Sequence, residues 1–145
     1  GLYSMGEFRI LGKKINMADR LFTKRLNERI LNTGLTASRW ATVNCLMVHG
    51  ELTQAEICEM LSIEASSVSK TLDLMERNGW IKRTPVPHDK REKLITLTDK
   101  AKAHIPSWLK IVNDLQEQLF EGLSEEEIDT FYRILDRICE NLKKG

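Results

Sequence analysis

The 145-residue sequence predicts a mainly α-helical fold with a small β-hairpin wing: a winged helix-turn-helix lobe between long terminal dimerisation helices. Three observations carry that expectation. Apolar residues recur at steps of 3 and 4 near both ends, the period of one helix face. The middle holds short helical segments bounded by capping residues, two of them joined by a tight turn. From Trp80 to Leu97 the helical period gives way to β-prone runs around a polar loop.

The first helix is expected from about Glu7 to Leu31, with an apolar stripe of Phe8, Leu11, Ile15, Ala18 and Phe22. Asn32-Thr33-Gly34 ends it, since glycine adopts the left-handed conformation that closes a helix. Thr36 caps a second helix carrying Trp40, Val43, Leu46 and Met47, which stops at Gly50. Thr53-Gln-Ala-Glu56 has capping-box spacing and opens a third helix to about Leu61. Ser62-Ile63-Glu64 is a tight connection to a fourth helix, from about Ala65 to Asn78, which Asn78-Gly79 stops. Trp80 to Thr84 and Lys93 to Leu97 then form a hairpin with a long tip, Pro85 to Glu92.

Thr98 caps a fifth helix with Ile105, Trp108, Val112, Leu115 and Leu119 on one stripe. Pro106 inside it removes an N–H bond and clashes one turn back, which predicts a kink. Ser124-Glu-Glu-Glu127 is a second capping box, opening a sixth helix that bears Ile128, Phe131, Leu135, Ile138 and Leu142. Residues 1–145 thus read as one chain with a lobe at 35–98 and dimerisation helices at 7–34 and 99–143. Seams of two apolar residues in seven bury little within one chain. They pack on one another or, the favoured reading, also against a second copy as a homodimer.

Hydrophobic residues at 41% and charged residues at 30% fit a globular chain. No apolar run approaches the roughly 20 residues of a membrane span, and the first five residues do not resemble a signal peptide. Residues 1–4 are compatible with native sequence and with an artificial addition ahead of Met5. Cys45, Cys58 and Cys139 form no C-x-x-C, which suits a reducing cytoplasm. Cys45 and Cys58 read as small core residues. His49, His88 and His104 lie far apart in sequence, so no metal and no cofactor is expected. No phosphate loop, catalytic carboxylate pair or Ser-His or Cys-His signature is present, and an enzyme is not expected. The net charge of +1 hides an asymmetry. Arg77 to Lys102 holds eight basic and three acidic residues, whereas Val112 to Leu142 holds two and nine. A basic middle suits an anionic partner.

The third and fourth helices have helix-turn-helix spacing, the second of the pair being the one that enters a major groove. At about 100° per residue, Val68, Leu72 and Met75 share the inner side of the fourth helix. Ser66, Lys70, Asp73 and Arg77 share the outer side, with Ser67 and Ser69 beside them. Small hydroxyl residues permit close approach to DNA, and Lys70 and Arg77 add charge where phosphates would pass. On its own this face also fits an ordinary solvated helix. The hairpin tilts the balance, because Lys90, Arg91 and Lys93 protrude there, suited to phosphates or to an arginine in the minor groove. Asp89, a poor phosphate contact, is expected to brace the tip by pairing with a nearby Arg or Lys.

Taken in order, Leu35-Thr-Ala-Ser-Arg-Trp40, Gly50-Glu-Leu-Thr-Gln-Ala-Glu56, Ser66-Ser-Val-Ser-Lys-Thr-Leu-Asp73, Gly79-Trp-Ile-Lys-Arg83, Pro87-His-Asp-Lys-Arg91, Leu97-Thr98 and Gly122-Leu-Ser-Glu-Glu126 resemble the multiple-antibiotic-resistance regulator (MarR) family. The resemblance runs from about Phe8 to Leu142. It implies a symmetric dimer with interlocking terminal helices, a recognition helix at 65–78 and a wing at about 80–97. It further implies a transcriptional repressor on a pseudo-palindromic double-stranded DNA operator. Asp89 and Arg91 match the family's D-x-R wing motif, which makes Arg91 the implied minor-groove contact. A phenolic or lipophilic effector is also implied, in a pocket expected to draw on Ile15, Trp40, Asn44, Met47 and Trp108, each equally compatible with plain core.

Leu74 stands where the family often has a basic residue, Ala101 where glycine is frequent, and Lys70 where arginine would read guanine through two bonds. Three other readings compete. A protein-interaction module on the same fold would be expected to lose the basic wing and hydroxyl-rich helix start, and both are present. An RNA binder would favour exposed aromatics, absent from the wing tip. A redox regulator needs an accessible, activated cysteine. The family's redox members usually carry it near the start of the first helix, where this chain has none.

Overall fold

The computed structural model describes residues 10–145, apart from the side chain of Lys90. The expected helix start at Glu7, and Phe8, lie outside those residues. The elements run α1 (Leu11–Ile30), a 3-10 turn (Leu31–Thr33), α2 (Ala37–His49), β1 (Leu52–Thr53), α3 (Gln54–Leu61), α4 (Ala65–Arg77), β2 (Ile81–Val86), β3 (Asp89–Leu97), α5 (Asp99–Leu119) and α6 (Glu125–Lys143).

The caps fall where the sequence places them. Thr36 accepts the N–H of Arg39 at the start of α2. In α3 the Thr53 hydroxyl accepts the Glu56 N–H at 3.2 Å while the Glu56 carboxylate accepts the Thr53 N–H at 3.0 Å. Ser124 and Glu127 repeat that exchange at α6, at 3.1 and 3.0 Å. Both glutamates are held below their ordinary pKa by the backbone N–H each accepts. Gly34 and Gly79 take φ of 87° and 81°, the left-handed values their helix ends require. Helix α5 continues through Pro106 as one element.

The hairpin departs from expectation. Its strands extend through the segment expected as a long loop, and only Pro87-His88 make the turn. The sheet order is β1-β3-β2, both pairs antiparallel. β1, a two-residue strand the periodicity does not announce, pairs Leu52 with Ile95 and Thr53 with Leu94. The β2–β3 ladder is regular from Ile81↔Leu97 to Pro85↔Lys93, then jumps to Val86↔Asp89. Lys90-Arg91-Glu92 are therefore extra residues on the central strand, a bulge that turns them out of the ladder. Pro85 is tolerated because β2 is an edge strand, where a missing N–H leaves no neighbour unpaired.

The chain divides into two compact units, one ending at Ile111 and the other Val112–Gly145. The core of the first contains Leu26, Ile30, Leu35, Val43, Leu46, Ile57, Leu72, Met75, Ile81, Ile95 and Trp108, each at most 2% exposed. The three apolar seams behave differently. On α5, Trp108, Val112 and Leu115 are buried. On α1, every residue from Leu11 to Leu21 is exposed. On α6 no residue is buried, and Phe131, Ile134 and Leu142 remain 50%, 46% and 74% exposed.

Candidate nucleic-acid interface

Helix α4 sits on the lobe through Val68, Leu72 and Met75, all buried. That anchoring turns Ser66, Ser67, Lys70, Asp73 and Arg77 outward, and all five are exposed, with Ser69 half-buried beside them. Leu74 is 38% exposed on the same side. The helix begins at Glu64 without a side-chain cap, so its first turn offers N–H groups with no side chain across them.

Asp73 differs from its neighbours. The Arg83 guanidinium, rising from β2, donates to the Asp73 carboxylate and to Glu76 at 3.3 Å. Its side chain is 15% exposed, and the Asp73 bond raises its pKa. One arginine thus ties wing to recognition helix and neutralises a carboxylate on the exposed side of α4. The sequence reading placed Asp73 among the contacts and did not single out Arg83. An i−10 pairing between helix and strand leaves no periodic trace.

On the wing, Arg91 and Lys93 are exposed. Asp89 braces the tip through a backbone group: its carboxylate accepts the Arg91 N–H at 2.9 Å, an Asx-type turn within the bulge. The geometry thus presents a hydroxyl-rich helix start, Lys70 and Arg77 along one helix, and Arg91 and Lys93 on an adjoining bulged strand.

Among the described residues, the five expected to line an effector pocket lie in different surroundings. Trp108 is fully buried and its indole N–H donates to the Thr33 hydroxyl at 2.9 Å. Trp40 is buried, Asn44 exposed, and Ile15 42% exposed on α1. Met47 alone of the five lines a groove of about 510 Å³ in the first unit, with Leu46, Lys82, Leu97, Lys102 and Ile105. Cys45 and Cys58 are half-buried and Cys139 exposed. Burial pushes the Cys45 thiol up, away from the reactive thiolate. Among the described residues no group of His, Cys, Asp or Glu could hold a metal ion, and no helix is long and apolar enough to cross a membrane.

A helix-turn-helix whose second helix faces outward beside an antiparallel wing defines a winged helix-turn-helix protein. Comparison with known proteins makes the class specific. A MarR-family model matches residues 33–92. The chain is 35% identical over 118 residues to an uncharacterized HTH-type transcriptional regulator, YwoH, of Bacillus subtilis, covering 81% of this chain and 85% of that one. The chain belongs to the MarR family of transcriptional regulators. Its fold is similar to a mutant MarR from E. coli complexed with operator DNA, with a TM-score of 0.80 and 27% identity over 88% of this chain and 92% of that one. It is also similar in fold to reduced AbfR bound to DNA, with a TM-score of 0.74 and 22% identity over 91% of each chain.

Proposed function

We infer that this chain is a sequence-specific double-stranded-DNA-binding transcriptional regulator, acting in the cytoplasm as a homodimeric repressor and not as an enzyme. The observation that carries the reading is the outward arc of α4, where Ser66, Ser67, Lys70 and Arg77 are exposed beside a wing that presents Arg91 and Lys93. Likeness to a MarR complexed with operator DNA supports DNA as the partner. The open seams on α1 and α6 support a second copy of the chain as the partner that covers them. On this reading residues 35–98 are the DNA-binding lobe and the flanking helices dimerise. Lys70 reaches base edges, and Arg91 enters the minor groove or meets a phosphate. Asp73 serves through Arg83 by holding the wing against the recognition helix.

The groove beside Met47 is the place we assign to a small lipophilic or phenolic effector, since its lining combines apolar Leu46, Leu97 and Ile105 with Lys82 and Lys102, the carboxylates of Glu51 and Asp99 lying in the same lining. Phenolic carboxylates should weaken operator binding if that groove is the effector site.

A salt titration on operator and scrambled duplex tests the DNA reading. Arg91→Ala should weaken both duplexes and lower the salt-dependence slope by about one unit per chain. Lys70→Ala should cost roughly 1–3 kcal/mol mainly on the operator. If neither substitution alters binding at any salt concentration, the DNA-reading face is misassigned.

A further inference from the structure

The carboxyl end of α4 is held by the first turn of α5. Gly79 N–H donates to the Glu76 carbonyl at 3.0 Å and Trp80 N–H to that of Met75 at 2.9 Å, a Schellman closure. The next carbonyls along the chain find their donors at the start of α5. Lys100 Nζ donates to the Asn78 carbonyl at 2.7 Å, the Thr98 hydroxyl to that of Gly79 at 2.6 Å, and Thr98 N–H to that of Trp80 at 3.1 Å. The Thr98 hydroxyl also accepts the Ala101 N–H at 3.1 Å, so one side chain caps α5 and clamps the end of α4.

Aromatic packing stiffens this junction. Lys100 Nζ lies 4.2 Å from the centroid of the Trp80 ring. Trp80 meets His104 and Trp108 of α5 nearly at right angles, each with centroids 5.0 Å apart. His104 Nδ1 bonds the Lys100 carbonyl at 2.9 Å, and Trp108 reaches Thr33 beyond the end of α1. An ammonium at the end of α4 is also favoured by the negative pole of that helix.

We propose that Lys100 and Thr98 are positioning residues for DNA reading: they latch the end of the recognition helix to the first turn of α5 and so fix the attitude of α4 in the lobe. Neither touches a base; they act by fixing where Lys70 and Arg77 stand. The proposal rests on the DNA-reading function above. It also separates two roles for a cation near the interface, since a latch changes sequence discrimination and a phosphate contact changes salt dependence.

The test uses Lys100→Met, which keeps the stem over Trp80 and removes the donor and charge. Binding is measured against an operator that the wild-type chain selects from a random duplex library, and against scrambled duplex, across a salt series. Operator affinity should fall roughly 3- to 30-fold, with scrambled-duplex affinity and salt slope unchanged. Lys100→Arg, which can donate to the same carbonyl over the same ring, should restore the ratio. Amide exchange at Asn78, Gly79 and Trp80 should quicken in Lys100→Met in the absence of DNA. Equal loss on both duplexes with a slope lower by about one unit would make Lys100 a phosphate contact and overturn the latch. An unchanged operator-to-scrambled ratio, or unchanged exchange at those amides, would also overturn it. A wild-type chain that selects no sequence would instead sink the DNA-reading function itself.

Discussion

Replacing Phe131 with alanine isolates the second copy of the chain from the fold of the first. Phe131 lies on the α6 seam with Ile128 and Leu135 and keeps 50% of its surface exposed within one chain. A phenylalanine has roughly 200 Å² to bury, so about 100 Å² remains for a partner to cover. At about 25 cal/mol per Å² that is roughly 2.5 kcal/mol per copy, and about 5 kcal/mol for two symmetric copies. Each 1.4 kcal/mol is tenfold, so the dimer dissociation constant should rise by about 3 to 4 decades as an upper bound. Sedimentation equilibrium across nanomolar to micromolar concentration reads the change directly. Asp129→Asn, at an exposed position two residues earlier and on nearly the opposite side of the helix, should leave the constant near wild type. A wild-type chain that stays monomeric at micromolar concentration, or a Phe131→Ala constant within threefold of wild type, would refute the assignment of α6 to a dimer seam.

Arg83→Met should lower stability by no more than about 1 kcal/mol, since the carboxylates it meets are half-exposed. It should weaken DNA binding on all duplexes, because Asp73 and Glu76 then face phosphates uncompensated; thermal unfolding and DNA titration together check this, and Asp73→Asn in the same chain should recover part of the loss. The Glu127 box should open in acid. Its folded pKa is depressed, so its contribution is present above the ordinary glutamate value of 4.5 and is lost as pH falls through the folded value. Protection of the Ser124 amide, taken relative to its intrinsic exchange rate at each pH, should fall there, and Glu127→Gln should remove that pH-dependent loss of protection. Trp108→Phe should cost about 1–3 kcal/mol through a lost hydrogen bond to Thr33 and a smaller ring, read as a lower unfolding midpoint.

The sequence disclosed most where the deciding chemistry is local. A capping box closes within four residues, so Thr53–Glu56 and Ser124–Glu127 announced their helices, and Asn78-Gly79 announced the end of α4. The outward arc of α4 was legible for the same reason, since its inner face is set by Val68, Leu72 and Met75 at helical spacing. What stayed hidden depends on residues brought together from afar. β1 has two residues and exists because Ile95 and Leu94 lie beside it. The tip from Pro85 to Glu92 contains two prolines and four charges, so composition reads it as loop although backbone pairing organises it. Spacing alone made the seams of α1, α5 and α6 look alike, whereas exposure separates them. Arg83 escaped notice because its partners lie on another element.

The three extra residues at Lys90–Glu92 give the wing a length that can vary without disturbing its root. The ladder from Ile81↔Leu97 to Pro85↔Lys93 lies entirely on the lobe side of the bulge. Removing the three would place Asp89 directly before Lys93 and continue that ladder to Val86 as a plain two-residue hairpin. Arg83, which pairs with Ile95 inside the ladder, would keep its place beneath the recognition helix. The length of the wing tip and its attachment to the lobe are thus separately adjustable, since a change in the number of tip residues is taken up in this slack before it touches the register below.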